Sequence, residues 1–295
     1  VESLLEAQAR AGFRTPMLPA PIERHTVTLP GLPLELVGFK VLHLTDLHLR
    51  RRMHRKAHRR WDELLGAMER TPADIVCLTG DYVDERGQEA AAAAGLRELV
   101  DACRSKLGVF GIFGNHDTPV MRALAREVAG VRWIGGSWVD LDSVPMRVMG
   151  LDWPEDVVSV VMEQVAEVEN QPTTSPPSGR GQVSRFTLAL AHMPSAIVAC
   201  EAFGVPLVLC GHTHGGQIRV SPQLAPHTSG DTPMHLAAGV IRLGATSCAI
   251  SRGVGDGVVE GLRINCPVQV PMYELAREEG VVWPMDGVVR QVVAW

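Results

Sequence analysis

The sequence predicts an α/β fold, on three observations. Short apolar runs recur along the chain, each closed by glycine or polar residues. In the first half, stretches with apolar residues at helical spacing separate these runs. The residues closing the runs are repeatedly Asp, His and Asn, and open α/β sheets build their sites at the carboxyl ends of strands.

In chain order, residues 1–35 form a leading segment and residues 36–295 one domain. Glu2 to Ala11 reads as a short helix ended by Gly12, and Pro16, Pro19 and Pro21 then exclude regular structure. His25 to Leu29 alternates as an edge strand does, and Pro30-Gly31-Leu32-Pro33 is a turn. Phe39 to Leu44 is a buried strand ending in Thr45-Asp46-Leu47-His48. The helix after it carries Trp61, Leu64, Leu65 and Met68 on one face and stops at Thr71-Pro72. Ile75 to Leu78 ends in Thr79-Gly80-Asp81, and a second helix from Gln88 to Arg104 turns Leu96, Leu99, Val100 and Cys103 inward. Val109 to Phe113 ends in Gly114-Asn115-His116-Asp117, where the glycine is expected to free the backbone.

The second half is richer in strand. Val131 to Ile134, Trp138 to Leu141 and Met146 to Gly150 are short strands, followed by a helix face of Val157, Val158, Val161, Met162, Val165 and Val168. Residues 171–182 have linker composition and read as a surface excursion within the domain. Phe186 to Ala191 runs into His192, and Leu207 to Cys210 into Gly211-His212-Thr213-His214-Gly215-Gly216. Val240 to Leu243, Cys248 to Ser251 and Val270 to Leu275 suggest a closing meander.

Composition bounds the function. Hydrophobic residues make up 46% and charged residues 21% of 295, which excludes a disordered chain. A net charge of -5 argues against binding nucleic acid through bulk electrostatics. Six cysteines form no C-x-x-C pair and several lie in apolar runs, which favours a reducing compartment such as the cytoplasm. No apolar run reaches the roughly 18 residues that span a bilayer. The sequence starts at Val1 without a methionine, so a preceding anchor or export signal stays open.

The chemistry lies in the strand ends: Asp46, His48, Asp81, Asn115, His116, His192, His212 and His214. Taken singly, each is a polar turn with a plain explanation. Neutral imidazole is nevertheless the commonest ligand for transition metals, and five such ends in one chain point to a metal site.

In order, D-x-H, G-D-x-x-D, G-N-H-D, a lone His and G-H-x-H resemble the signature of the calcineurin-like metallophosphoesterase superfamily. The resemblance implies a four-layer αββα sandwich with two mixed β-sheets and a dinuclear metal centre that hydrolyses phosphoesters. It assigns Asp46, His48, Asp81 and His214 to one ion and Asp81, Asn115, His192 and His212 to the other, with Asp81 bridging. It makes His116 the catalytic histidine, with Asp117 orienting it. Gly215 and Gly216 then read as room for the substrate, and Asp84 as structural support. Two divalent ions balanced by two aspartates leave a charge of about +2, to be completed by a bridging hydroxide and a phosphoryl oxygen. The donors suit Mn²⁺, Zn²⁺ or Fe, with Mn²⁺ favoured by the resemblance.

Arg50, Arg51, Arg52, Arg55, Lys56, Arg59 and Arg60 follow the first ligand pair. They read either as a solvated helix face or as a collar for an anionic phosphoester substrate or an anionic membrane. Gly215-Gly216-Gln217, Ser251 to Gly255 and Arg263 to Pro267 resemble a bacterial membrane-associated subgroup that includes UDP-2,3-diacylglucosamine pyrophosphatases of lipid A synthesis. The expectation is a phosphodiesterase or pyrophosphatase on a nucleotide- or lipid-linked substrate, peripheral on the inner membrane. A soluble broad-range phosphodiesterase is the alternative. The complete ligand set argues against a non-catalytic scaffold. The oligomeric state stays open.

Overall fold

Alternation along the strands decides which layer each residue joins. The computed structural model describes residues 22–50, 55–152, 185–221, 233, 236–255, 263–279 and 290–293. Its strands are β1 (Glu23–Pro30), β2 (Lys40–Leu44), β3 (Ile75–Thr79), β4 (Val109–Ile112), β5 (Val131–Trp133), β6 (Trp138–Leu141) and β7 (Met146–Leu151). After them come β8 (Phe186–Ala191), β9 (Leu207–Cys210), β10 (Gly239–Leu243), β11 (Thr246–Ile250), β12 (Pro271–Glu278) and β13 (Arg290–Val293). The helices are α1 (Arg55–Arg70), α2 (Glu89–Ala102), α3 (Pro119–Arg126) and α4 (Ala196–Ala202).

Two mixed sheets result, one of six strands in the order β1-β12-β2-β3-β4-β5 and one of seven in the order β13-β10-β11-β9-β8-β7-β6. On one face of the first sheet, Leu42, Leu44, Val76 and Leu78 pack against Trp61, Leu64 and Met68 of α1 and Leu96 and Leu99 of α2. The intervening residues Val41, Ile75, Cys77, Phe110 and Ile112 point the other way. They meet Val148, Leu188, Leu190, Leu207 and Leu209 of the second sheet. That sheet's far face, with Ala189, Val208, Cys210 and Ile250, is covered by Ile197 and Cys200 of α4. Each strand residue thus alternates between a helix-facing and a sheet-facing core, as the period of two requires.

The His25–Leu29 strand, assigned by sequence to the leading segment, is β1. It pairs with β12 in parallel along its whole length at the edge of the first sheet. The helices α3 and α4 and strand β13 carry no expectation from sequence. Thr118-Pro119 bore the signals for α3, since Thr118 Oγ1 accepts the Met121 N–H and proline occupies the first turn. The expected helices at Glu2–Ala11 and 157–168, and the 171–182 linker, lie outside the described residues.

The topology brings the strand ends together. β2, β3 and β4 are adjacent and parallel in one sheet, and β8 and β9 are adjacent and parallel in the other. Their carboxyl ends carry Asp46 and His48, Asp81, Asn115 and His116, His192, and His212 and His214 respectively.

Candidate dinuclear metal centre

The turns that follow these strands are held together by backbone bonds. Asp46 donates to the Gly80 carbonyl at 3.0 Å, His48 to Asp81 at 3.0 Å and Leu49 to Tyr82 at 2.8 Å. The second sheet is joined to the first by the amide of His212, which donates to the Asp46 carboxylate at 3.0 Å. Five of the candidate ligands sit in left-handed backbone: Asp46 (φ 50°), His48 (φ 42°), Asp81 (φ 58°), His212 (φ 67°) and His214 (φ 50°). Such conformations cost non-glycine residues about 1–3 kcal/mol each and persist where the surroundings over-determine them, as they do at functional sites.

Two glycines make that crowding possible, at Gly114 by a different route from the backbone freedom expected there. A Cβ on Gly114 would lie 2.2 Å from Asp81 Oδ1, and one on Gly211 would lie 2.3 Å from Asp46 Oδ2. Neither glycine has positive φ. Each is small so that a carboxylate can lie against the backbone.

Two buried clusters result. In the first, ligand atoms of Asp46, His48 and His214 all lie within 4.8 Å of one another, and in the second those of Asp81, His192 and His212 do. His48 Nε2 and His214 Nε2 are 3.0 Å apart, with Asp46 Oδ1 3.5 Å from the latter. His212 Nδ1 is 3.2 Å from His192 Nε2 and 3.0 Å from Asn115 Oδ1. Asp81 Oδ2 lies between the clusters, 3.1 Å from His192 Nε2 and 3.7 Å from His48 Nε2. Four imidazole nitrogens and two carboxylates thus converge out of reach of bulk water, a nitrogen and oxygen donor set suited to two divalent cations. His192 Nδ1 donates to the Thr79 carbonyl at 2.8 Å, which turns Nε2 toward the cluster.

Electrostatics describe the same need for positive charge. Burial raises the Asp46 carboxyl above its ordinary range, and the nearby Asp81 charge adds to this. Burial also works against the Asp81 charge, but His192 and His48 hold its pKa well below the carboxylate range. Burial disfavours a charged His192, yet the Asp81 charge and hydrogen bond hold its pKa up to about 9.

Around the clusters, the structure places the other expected residues as follows. His116 is exposed, its amide donates to Asp81 Oδ1 at 2.8 Å, and its Nδ1 faces the Asp84 carbonyl at 3.0 Å. Asp117, expected to orient the His116 ring, instead accepts backbone N–H groups from Asp81 at 2.9 Å, Gly114 at 2.8 Å and Tyr82 at 2.8 Å. Asp84 reaches His48 Nδ1 at 3.3 Å and Arg50 Nε at 2.9 Å, so Arg50 is held by a carboxylate beside the site. Arg51 and Arg52 lie outside the described residues. Gly215 does not open onto a substrate space, because a Cβ there would meet Arg252 Cγ at 2.7 Å and Cys266 Sγ at 2.8 Å. Gly216 is likewise buried.

Sequence reasoning missed two neighbours. Asp152, just past β7, accepts the Phe113 N–H at 2.8 Å and anchors the turn before Asn115. It is one more polar residue at a strand end, the signal used elsewhere. Arg263 lies 3.4 Å from His214 Nδ1 and donates to the carbonyls of Arg252 and Gly255. Nothing in its local sequence indicated that contact.

Comparison with known proteins agrees with this geometry. Residues 39–216 match the family model for calcineurin-like phosphoesterases. The chain belongs to this family. It is 29% identical over 239 residues to a phosphodiesterase of Escherichia coli, YaeI, spanning 80% of this chain and 82% of that one. It is 25% identical over 260 residues to an uncharacterized metallophosphoesterase of Bacillus subtilis, YkuE, spanning 85% of each. A second such protein of that organism, YkoQ, is 27% identical over 196 residues, covering 64% of this chain and 65% of the relative. The chain is therefore a metal-dependent phosphoester hydrolase, and its two clusters suggest a dinuclear divalent metal centre.

Proposed function

We propose that the chain hydrolyses a phosphodiester or pyrophosphate bond at a centre held by Asp46, His48, Asp81 and His214 on one side and Asp81, Asn115, His192 and His212 on the other. The observation that carries this is Asp81, whose Oδ2 stands 3.1 Å and 3.7 Å from histidines of the two clusters. When bound, two divalent ions polarise a phosphoryl oxygen and lower the pKa of a coordinated water. The chain's own residues fix the geometry. Asp84 orients the His48 ring and Thr79 that of His192, while Asn115 supplies a neutral oxygen at the solvent side. His116, exposed beside the clusters with its Nδ1 on a carbonyl, presents its other ring nitrogen to hydrogen-bond the phosphoryl group or to protonate the leaving oxygen.

The relative named a phosphodiesterase supports a diester substrate. Turnover of bis(p-nitrophenyl) phosphate by protein supplied with Mn²⁺, Co²⁺ or Zn²⁺ tests the proposal. No turnover with any of these ions, at two ions bound per chain, would overturn it. Mn²⁺ is the proposed resident, and a higher kcat/KM with Zn²⁺ or Fe²⁺ would displace it.

The narrower substrate is UDP-2,3-diacylglucosamine, proposed from the likeness of Ser251–Gly255 and Arg263–Pro267 to the membrane-associated subgroup. It implies a cytoplasmic chain peripheral on the inner membrane. Among the described residues no helix is long and apolar enough to cross a membrane. Release of UMP from that lipid is the assay. Absence of UMP together with diester turnover would leave the broad-range phosphodiesterase.

A further inference from the structure

We propose that the cleft beside His116 binds a second phosphate group of the substrate, held by Arg86 and Arg126. This inference rests on the phosphoester-hydrolase reading of the neighbouring clusters. The cleft has a volume of about 630 Å³ and shares Asn115 and His116 with the site. Asp84, Arg86, Pro119, Arg122 and Arg126 also line it. That volume exceeds what one phosphoryl group fills and suits a nucleoside-sized ligand.

Charge decides what the cleft accepts. Its two carboxylates are engaged: Asp117 with three backbone N–H groups, and Asp84 with Arg50 and His48. Arg122 is tied to the Asp117 carbonyl at 3.0 Å and lies 3.7 Å from Asp152. Arg86 and Arg126 are exposed at the same cleft. Arg126 is pre-positioned, since its guanidinium carbon lies 5.1 Å from the centre of the Phe113 ring, itself stacked on Trp133 at 4.5 Å. The Glu89 carboxylate, which feels the Arg86 charge, is committed to the Gly87 N–H and the Thr118 hydroxyl. Two exposed arginines in a cleft that shares Asn115 and His116 with the hydrolytic site favour a phosphate one nucleoside away from the scissile bond.

The test compares two diesters that differ by one group: thymidine 5′-(p-nitrophenyl phosphate) and the same compound bearing a 3′-phosphate. With metal-loaded wild-type protein, the 3′-phosphate is expected to lower KM by about tenfold or more. Arg126→Ala and Arg86→Ala are each expected to shrink that KM ratio, and the double variant to bring it near one. Arg126→Lys should retain part of it. Equal KM for the two substrates in turning-over wild type, or an unchanged ratio in the double variant, overturns this inference alone. Absence of turnover of both substrates at full metal loading overturns the hydrolase reading and this inference with it.

Discussion

The Asp117 carboxylate accepts the backbone N–H of Asp81 at 2.9 Å, so the residue beside His116 in sequence serves the turn that carries the bridging aspartate. Its two oxygens take three buried N–H groups in all. Asp117→Ala strands these donors, at about 1–3 kcal/mol for each buried group left unsatisfied. The variant is expected to lose at least about 3 kcal/mol in urea unfolding and to bind less metal, with Asp117→Asn intermediate. Unchanged stability in Asp117→Ala would remove the role given to this carboxylate.

His116 is exposed; its amide donates to Asp81 Oδ1 and its ring stands edge-on to that of His48 at 4.8 Å, but its ring nitrogens are not among the clustered ligand atoms, so the ring is not needed to hold an ion. His116→Ala is expected to keep two ions per chain and lose about 10²–10⁴ in kcat on a diester substrate. Metal analysis beside steady-state kinetics checks this. Wild-type turnover at full loading would sink the assignment.

His212 and His214 are two residues apart but belong to different clusters. Each single alanine variant should therefore fall from two ions per chain to one, and Asp81→Asn should weaken both. Elemental analysis after equilibrium dialysis distinguishes the cases. Loss of both ions in either histidine variant would mean that the pair does not divide between sites.

His192 supplies a pH dependence. Burial opposes its charge, but Asp81 and Asp46 hold its pKa up to about 9, so the ring carries a proton at neutral pH in the metal-free protein. An ion needs the neutral Nε2 and must expel that proton. Metal affinity is therefore expected to rise from pH 6 to about 9 and then level off. Calorimetry of Mn²⁺ binding in buffers of differing ionisation enthalpy should show net proton release at pH 7. No release would contradict the charge state assigned to this ring.

His43 bears on stability instead. Burial drives its pKa down to about 3, and Nε2 lies 2.8 Å from Thr79 Oγ1. The folded value is below the unfolded value of about 6.5, so this ring's contribution is complete above pH 6.5 and lost as pH falls toward 3. By pH 4 the loss is about 3 kcal/mol. Urea unfolding of metal-free protein at pH 7 and pH 4 should show this loss in wild type and a smaller one in His43→Met. Equal acid sensitivity of the two proteins would count against it.

The legible parts of this protein were those written in short runs. Phe186–Ala191 and Leu207–Cys210 stand where their apolar runs placed them, because a strand buried on both faces must be apolar almost throughout. The helix α3 was overlooked because it is short and its exposed face interrupts the apolar pattern, although Thr118-Pro119 marked its start.

The ligand residues were legible for a related reason. Their chemistry is a matter of residue type at a strand end, and the sequence by itself determined which side chains those would be. Local sequence could not say what a neighbouring side chain touches. Asp117 follows His116 but turns under the β3 loop, and Gly215 follows His214 but packs on Cys266. Arg50 follows His48 by two residues but is drawn to Asp84. Only the tertiary structure decided these, because each depends on contacts between strand ends far apart in the chain. The same holds for the centre itself: Asp81 can stand between two histidine pairs only once two sheets have packed face to face with these carboxyl ends together.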